Sequence, residues 1–272
     1  MNRTITELKW PAHLLDPSVC RLTKPRELGQ TMIIDKGLGL NAYSDLLETA
    51  ANHIDMIKIG FGTAPLYPTN LLMQKIELAK ENGILIYPGG TFLELAVIQN
   101  VADEFIETIT SFGFTGLEVS DGTIEMDRDT RSRLIKRGID QGLQVNTEYG
   151  KKCWGSSIEI ETLLRTIEED LEAGASLVTI EARESGTGVG IFDGNGQCKE
   201  EDLKQILSRL TNSDSLLWEA PLKDQQVKLL MELGSTVNLG NIPPQEIISL
   251  EAMRRGLRSD TLMMMQKRGN KE

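Results

Sequence analysis

The sequence predicts an α/β fold, a single (β/α)8 TIM barrel with a short N-terminal arm, and three observations lead there. Short apolar, β-rich runs alternate with longer segments of helical periodicity from about residue 30 to about residue 256. The alternation repeats eight times, and a closed eight-stranded parallel barrel needs about 250 residues, which the 272-residue chain supplies. No linker rich in Pro, Gly or Ser divides the chain, and no repeat longer than the βα unit appears. An open doubly wound sheet is the competing fold. Its nucleotide-binding form carries GxGxxG between the first strand and the first helix, and DKGLGLN at 35–41 lacks the third glycine.

Residues 1–29 precede the alternation and are assigned to an arm packed on one end of the barrel. The barrel itself takes 30–260, and 261–272, ending in MMMQKRGNKE, is a flexible tail. The predicted strands are TMIID (31–35), DMIKIG (55–60), ILIYP (84–88), GLEVS (116–120), LQVNT (143–147), SLVTI (176–180), LLWEA (216–220) and TVNLG (236–240). Helices fill the intervals. In 156–173 either Ser156 or Ser157 is a cap, Ile160, Leu163, Leu164, Ile167 and Leu171 form one apolar stripe, and Gly174 is the stop. Asn41 likewise precedes a stripe of Ala42, Leu46, Leu47 and Ala50. The acidic faces of these helices read as solvated faces.

Composition excludes several functions. With 29 Lys+Arg against 40 Asp+Glu the net charge is −11, a surface that repels phosphate backbones and anionic lipid, so neither nucleic acid nor membrane is an expected partner. The 40% hydrophobic and 25% charged fractions are those of a globular protein. Cys20, Cys153 and Cys198 are scattered, His13 and His53 stand alone, and no zinc-ligand spacing exists. The odd cysteine count, the absence of a leader at MNRTITELKW and the lack of a long apolar run predict a cytoplasmic protein. Barrels often assemble through helical faces, but no periodic seam marks an interface, so a homo-oligomer stays open.

In an eight-stranded barrel the chemistry lies at the carboxyl ends of the strands. There the sequence sets Asp35, Lys58, Gly89 and Gly90, then Glu118, Glu148 with Lys151 and Lys152, then Glu181 with Arg183, Glu184 and Ser185, and lastly Glu219, Asn238 and Gly240. Five carboxylates (Asp35, Glu118, Glu148, Glu181, Glu219) converging on one mouth repel unless a cation sits among them. Oxygen ligands without a His or Cys cluster favour Mg²⁺. The alternative is a rim network in which these acids pair with Lys58, Lys152 and Arg183. The glycine turns YPGGT and VNLGN let backbone N–H groups approach an anion, and Arg183 offers a planar fork, so a phosphate site is expected among these loops. The usual phosphate loops follow strands seven and eight, which points to Asn238 and Gly240.

At these same strand ends the chain resembles the phosphosulfolactate synthase family. IIDKGLG, DMIKIGFGTA, YPGGTFLE, GLEVSDGTIEM, TEYGKK, EARESGTGVGIFD, WEAPLKDQQ, STVNLGNI and LEAMRRGLRSDT occur in family order between about 21 and 261. The resemblance implies an Mg²⁺-dependent lyase that adds sulfite to phosphoenolpyruvate to give (2R)-phospho-3-sulfolactate, the entry to coenzyme M in methanogens. It implies that the second lysine of GKK, Lys152, is the proton donor, with Lys151 the alternative, and it casts Lys58 and Arg183 as anchors for phosphate, carboxylate or sulfite. A Schiff-base aldolase would instead use a desolvated barrel lysine, for which Lys58 is the candidate within a strand. The family also includes plant proteins associated with heat tolerance, so a non-catalytic barrel with a stress-protective or binding role is the second reading. Tyr149, in TEYGKK, sets a larger side chain beside the mouth than the aliphatic residue the family pattern carries there.

Overall fold

The computed structural model describes residues 10–210 and 213–262. Eight parallel strands form the barrel wall: β1 Thr31–Asp35, β2 Met56–Ile59, β3 Leu85–Pro88, β4 Gly116–Val119, β5 Gln144–Tyr149, β6 Leu177–Ile180, β7 Leu216–Glu219 and β8 Asn238–Ile242. They run in the order β3-β2-β1-β8-β7-β6-β5-β4. The seam between β3 and β4 is drawn together by one residue: Thr115 N donates to Ile86 O at 3.1 Å, and Ile86 N donates to Thr115 Oγ1 at 3.0 Å. The barrel is therefore nearly closed. The helices are α1 Ala12–Leu15, α2 Leu40–Ala50, α3 Thr69–Glu81, α4 Gly90–Ile98, α5 Ala102–Phe112, α6 Arg128–Asp140, α7 Ile160–Glu172, α8 Glu200–Arg209, α9 Lys223–Leu233 and α10 Ile247–Arg254. No helix among the described residues is long and apolar enough to cross a membrane.

Strand composition explains the two cores. Parallel strands covered on both faces read as near-continuous apolar runs. Their outward side chains, such as Ile33, Ile57, Ile86, Val119, Val145, Val178 and Trp218, pack against the helices. Inward, Met32, Met56, Tyr87, Leu177 and Leu217 form a separate apolar plug at the base of the barrel. Because side chains alternate with a period of two, the inward positions above that plug are Lys58 after Met56, Glu219 after Leu217, Glu148 after Asn146, and Glu181 after Leu177 and Thr179. All four are buried.

Three differences from expectation bear on the loops and the mouth. Helix α7 starts at Ile160 with Glu159 before it, and Ser156 Oγ donates to Lys151 O at 2.8 Å instead of capping a helix. The interval between β3 and β4 holds two helices, α4 and α5, rather than one. Strand β8 begins two residues later than predicted, at Asn238, and ends at Ile242. Of the predicted tail 261–272, residues 263–272 lie outside the described residues, as do residues 1–9 of the arm.

Candidate active site

A cavity of about 380 Å³ opens at the carboxyl ends of the strands, lined by Lys58, Gly89, Gly90, Glu118, Glu148, Lys152, Glu181, Arg183, Glu184, Glu219 and Asn241 among others. At its base Lys58 Nζ meets Glu118 Oε1 at 3.0 Å, Glu148 Oε2 at 3.0 Å and Glu219 Oε1 at 3.1 Å. Burial disfavours the ammonium, but these acids outweigh it and hold the Lys58 pKa well above the ordinary lysine value. Two of the ammonium's three donors are spent on hydrogen bonds to Glu148 and Glu219, and Glu118 adds a close ion pair. Lys58 is thus a counter-ion at the barrel axis, set among three buried carboxylates. The same engagement leaves it unsuited to Schiff-base chemistry, which needs a free amine.

Lys152 stands at the rim, 16% exposed, with Nζ 2.7 Å from Glu148 Oε1, 3.2 Å from Thr91 Oγ1, 3.4 Å from Glu94 Oε1 and 3.8 Å from Glu181 Oε2. Burial opposes its charge, and Glu148 and Glu181 more than compensate, so it stays protonated. Its neighbour Lys151 turns away. Lys151 Nζ donates to Asp121 O at 3.0 Å and Ile124 O at 2.9 Å and lies in a different cavity, so the two lysines of GKK are separated by the backbone itself. Gly150 makes that turn possible: its φ is +134°, and a Cβ there would stand 2.7 Å from Glu181 Cβ. Tyr149 also leaves the mouth, donating to Glu159 O at 3.1 Å, and its bulk lines the neighbouring cavity.

Glu148, Glu181 and Glu219 each offer an oxygen within 4.8 Å of the others, and all three are buried. Lys152 and Lys58 overcome the effect of burial and depress the Glu148 pKa. Burial and the charges of Glu148 and Glu219 raise that of Glu181. Three buried carboxylates at such spacing form a donor set that fits a hard cation, which prefers oxygen ligands. Of the other two acids expected to ligate metal, Glu118 is held by Lys58 and by Gly90 N, which donates to its Oε2 at 2.7 Å. Asp35 is not in the mouth at all. It follows Ile34 and so points outward, where it pairs with buried Lys75 and accepts from Gly37 N at 2.9 Å and Leu38 N at 2.8 Å.

The expected phosphate residues are divided in the same way. Gly89, Gly90 and Arg183 line the cavity. Arg183 holds a left-handed backbone (φ +62°) while its N–H reaches Glu181 Oε1 at 2.6 Å and Glu219 Oε2 at 3.1 Å. Ser185 is exposed and does not line the cavity. Asn238 lies at the opposite end, its side chain accepting from Gln30 N at 2.9 Å and donating to Asp214 O and Leu216 O. Gly240 faces the barrel plug, where a Cβ would meet Leu217 Cδ2 at 2.4 Å, so its smallness serves packing. A register shift in the β1–β8 pairing and a left-handed backbone at Asn241 (φ +53°) bring Asn241 to the mouth, buried, with its side-chain oxygen unpaired. Glu94, on α4, is a neighbour of Lys152 that the sequence alone did not single out. Its signal was a lone charge within the apolar run FLELAVI. Neither histidine comes near: His13 is on α1, and His53 Nδ1 faces Glu251 at the other end, 3.6 Å away.

Buried lysines and carboxylates gathered at the strand ends of a (β/α)8 barrel stand where barrel enzymes carry their chemistry. A family model described as (2R)-phospho-3-sulfolactate synthase matches residues 20–260, and the chain belongs to that family. It is 42% identical over 244 residues to the phosphosulfolactate synthase of Methanothermobacter thermautotrophicus, covering 89% of this chain and 94% of that one. It is 39% identical to the Bacillus subtilis phosphosulfolactate synthase, covering 90% and 96%. It is 23% identical to the Arabidopsis thaliana protein HEAT-STRESS-ASSOCIATED 32, covering 86% and 88%. The protein is accordingly an enzyme of the lyase kind. Among solved structures, 3-hexulose-6-phosphate synthase from Salmonella typhimurium shares the fold, with a TM-score of 0.52, 15% identity and coverage of 88% and 95%.

Proposed function

We propose that the enzyme adds sulfite to C3 of phosphoenolpyruvate to form (2R)-phospho-3-sulfolactate, with Mg²⁺ among Glu148, Glu181 and Glu219 and with Lys152 as the acid that protonates C2. The observation that carries this reading is the Lys152 ammonium on the cavity wall, 2.7 Å from Glu148, beside three carboxylate oxygens within 4.8 Å of one another. Sulfite sulfur supplies the electron pair of the new C–S bond, and the C2–C3 π pair moves through C2 toward the carboxylate. The charge that builds there is stabilised by cations, and a proton must then reach C2 on one face. When bound, Mg²⁺ would supply Lewis-acid stabilisation of that charge.

The protein residues supply the rest. Lys152, kept protonated by Glu148 and Glu181, delivers the proton. Arg183 on the rim offers the planar charge that suits phosphate or carboxylate, while the N–H of Gly90 is taken by Glu118. Lys58 holds Glu118, Glu148 and Glu219 in place. The substrates are small anions met in the cytoplasm, where the three cysteines, none of them in a disulfide, would stay reduced. The stress-protective reading is less well supported, because identity to the synthases is 42% and 39% against 23% to the heat-stress protein.

The test is to incubate the purified protein with phosphoenolpyruvate, sulfite and Mg²⁺ and to follow phosphosulfolactate by mass spectrometry. Turnover that is lost on exhaustive chelation and restored by Mg²⁺ is the expected result. Absence of product at high enzyme concentration defeats the proposed reaction, and turnover that survives chelation defeats the metal assignment alone.

A further inference from the structure

Lys152 is held by a residue that lies outside the strands. Glu94, on α4, is 1% exposed. Its Oε1 accepts from Ser120 Oγ and from Gly122 N at 3.1 Å and faces Lys152 Nζ at 3.4 Å. Its Oε2 accepts from Thr123 N at 2.9 Å and from Thr123 Oγ1. The loop that follows β4 is therefore wrapped around one carboxylate. That loop in turn grips Lys152 twice. Lys152 N donates to Gly122 O at 2.9 Å, and the lysine stem lies so close over Gly122 that a Cβ there would come within 2.9 Å of three of its methylenes.

The other acids near Lys152 cannot do the same work. Glu148 and Glu181 belong to the group that fits a cation, and oxygens that ligate a cation restrain an ammonium poorly at the same time. Glu94 cannot join that group, because its two oxygens already take four protein donors besides Lys152 and a carboxylate offers about four lone-pair sites. Burial pushes the Glu94 pKa up, but Lys152, Ser120 and Thr123 outweigh it and hold the group below the ordinary carboxylate value, so its charge is permanent.

We propose that Glu94 is the positioning residue of Lys152: it fixes the Ser120–Thr123 loop and retains the ammonium at the cavity wall when Glu148 and Glu181 turn to a cation. The inference rests on Lys152 being the acid of the proposed reaction. Displacing a catalytic group by about 1 Å costs on the order of 10²-fold in rate, so Glu94→Gln should lower kcat by about that factor and leave KM for phosphoenolpyruvate unchanged.

A double-mutant cycle separates positioning from general stability. In a Lys152→Ala background Glu94→Gln should cost nothing further in kcat, whereas a merely structural role would cost the same in both backgrounds and overturn the inference. Ser120→Ala and Thr123→Val, which remove donors to Glu94 without touching Lys152, should each give a smaller loss of the same kind. A rise in KM instead would also overturn it. Amide hydrogen exchange supplies a readout independent of turnover. The Gly122 and Thr123 N–H groups should be protected in the parent and exchange at least about tenfold faster in Glu94→Gln. If the parent enzyme makes no phosphosulfolactate, the proposed reaction falls, and unchanged exchange at these two amides then rejects the clamp as well.

Discussion

At the amino-terminal rim of the barrel Arg254 is buried and directs its Nη1 and Nη2 at backbone carbonyls, those of Ser235 at 2.8 Å, Val237 at 2.7 Å and Gln30 at 3.2 Å. At the carboxyl-terminal rim Lys58 is comparably buried and meets three carboxylates within 3.1 Å. The floor is a scaffold in which Arg21 and Arg255 share Glu251, at 2.9 Å and 2.7 Å, while Arg26 pairs with Asp55 at 3.0 Å. The mouth instead crowds Glu94, Glu118, Glu148, Glu181 and Glu219 around Lys58 and Lys152, an excess of like charge in a buried place. Backbone strain follows the same division. Of the five non-glycine residues with positive φ among those described, Phe61, Arg183 and Asn241 line the mouth.

The polarity of the fold gives one reason. Helices return antiparallel to the strands, so their N-termini, carrying partial positive charge, surround the mouth, and their C-termini surround the floor. Arg254, in the last turn of α10, and Arg255, next to it, sit at the negative end. The mouth acids sit at the positive one. Equal burial thus secures the fold at one rim, while at the other it crowds carboxylates around two lysines.

The largest test of that contrast is Lys152→Ala, which should lower kcat and kcat/KM together by about 10² to 10⁴ with little change in KM. Steady-state kinetics in both substrates read it, and a near-normal kcat would take the acid role from Lys152 and pass it to solvent. Arg254→Met should do the reverse. Stranding the buried carbonyls of Ser235, Val237 and Gln30 should cost about 3–5 kcal/mol in urea denaturation, with turnover per folded molecule unchanged. A parallel fall in kcat would break the separation of the rims. Glu181→Gln should stabilise the chelated protein by about 1–2 kcal/mol while reducing activity, since it relieves the crowding of like charge. Loss of stability there would mean that the mouth acids are held as the floor acids are.

The smallest effect concerns pH. Burial raises the Glu251 pKa, but Arg21 and Arg255 outweigh it and bring it from 4.5 to about 2. A carboxyl depressed on folding contributes fully above its unfolded value and loses that contribution as pH falls toward the folded one. The parent should therefore lose stability between about pH 4.5 and pH 2, and Glu251→Gln should flatten that part of the curve. An unchanged slope would remove Glu251 from the floor's charge balance.

Strand periodicity and composition determined the barrel, because a period of two and a period of 3.6 are properties of neighbouring residues and need no knowledge of the rest of the chain. The outward turn of Asp35 was legible by the same rule, since Met32 and Ile34 claim the inner face of β1 and leave Ile33 and Asp35 outside. What the sequence could not settle was contact. That Lys58 pairs with acids of β4, β5 and β7, that Glu94 reaches from α4 to Lys152, and that adjacent Lys151 and Lys152 enter different cavities are facts about residues up to 161 positions apart. The irregular pairing of β8 with β1, and the left-handed Asn241 within it, likewise placed Asn241 at the mouth while Asn238 stayed at the floor. A residue's type announces the chemistry it could do; only closure of the barrel decides which groups neutralise one another and which are left facing the cavity.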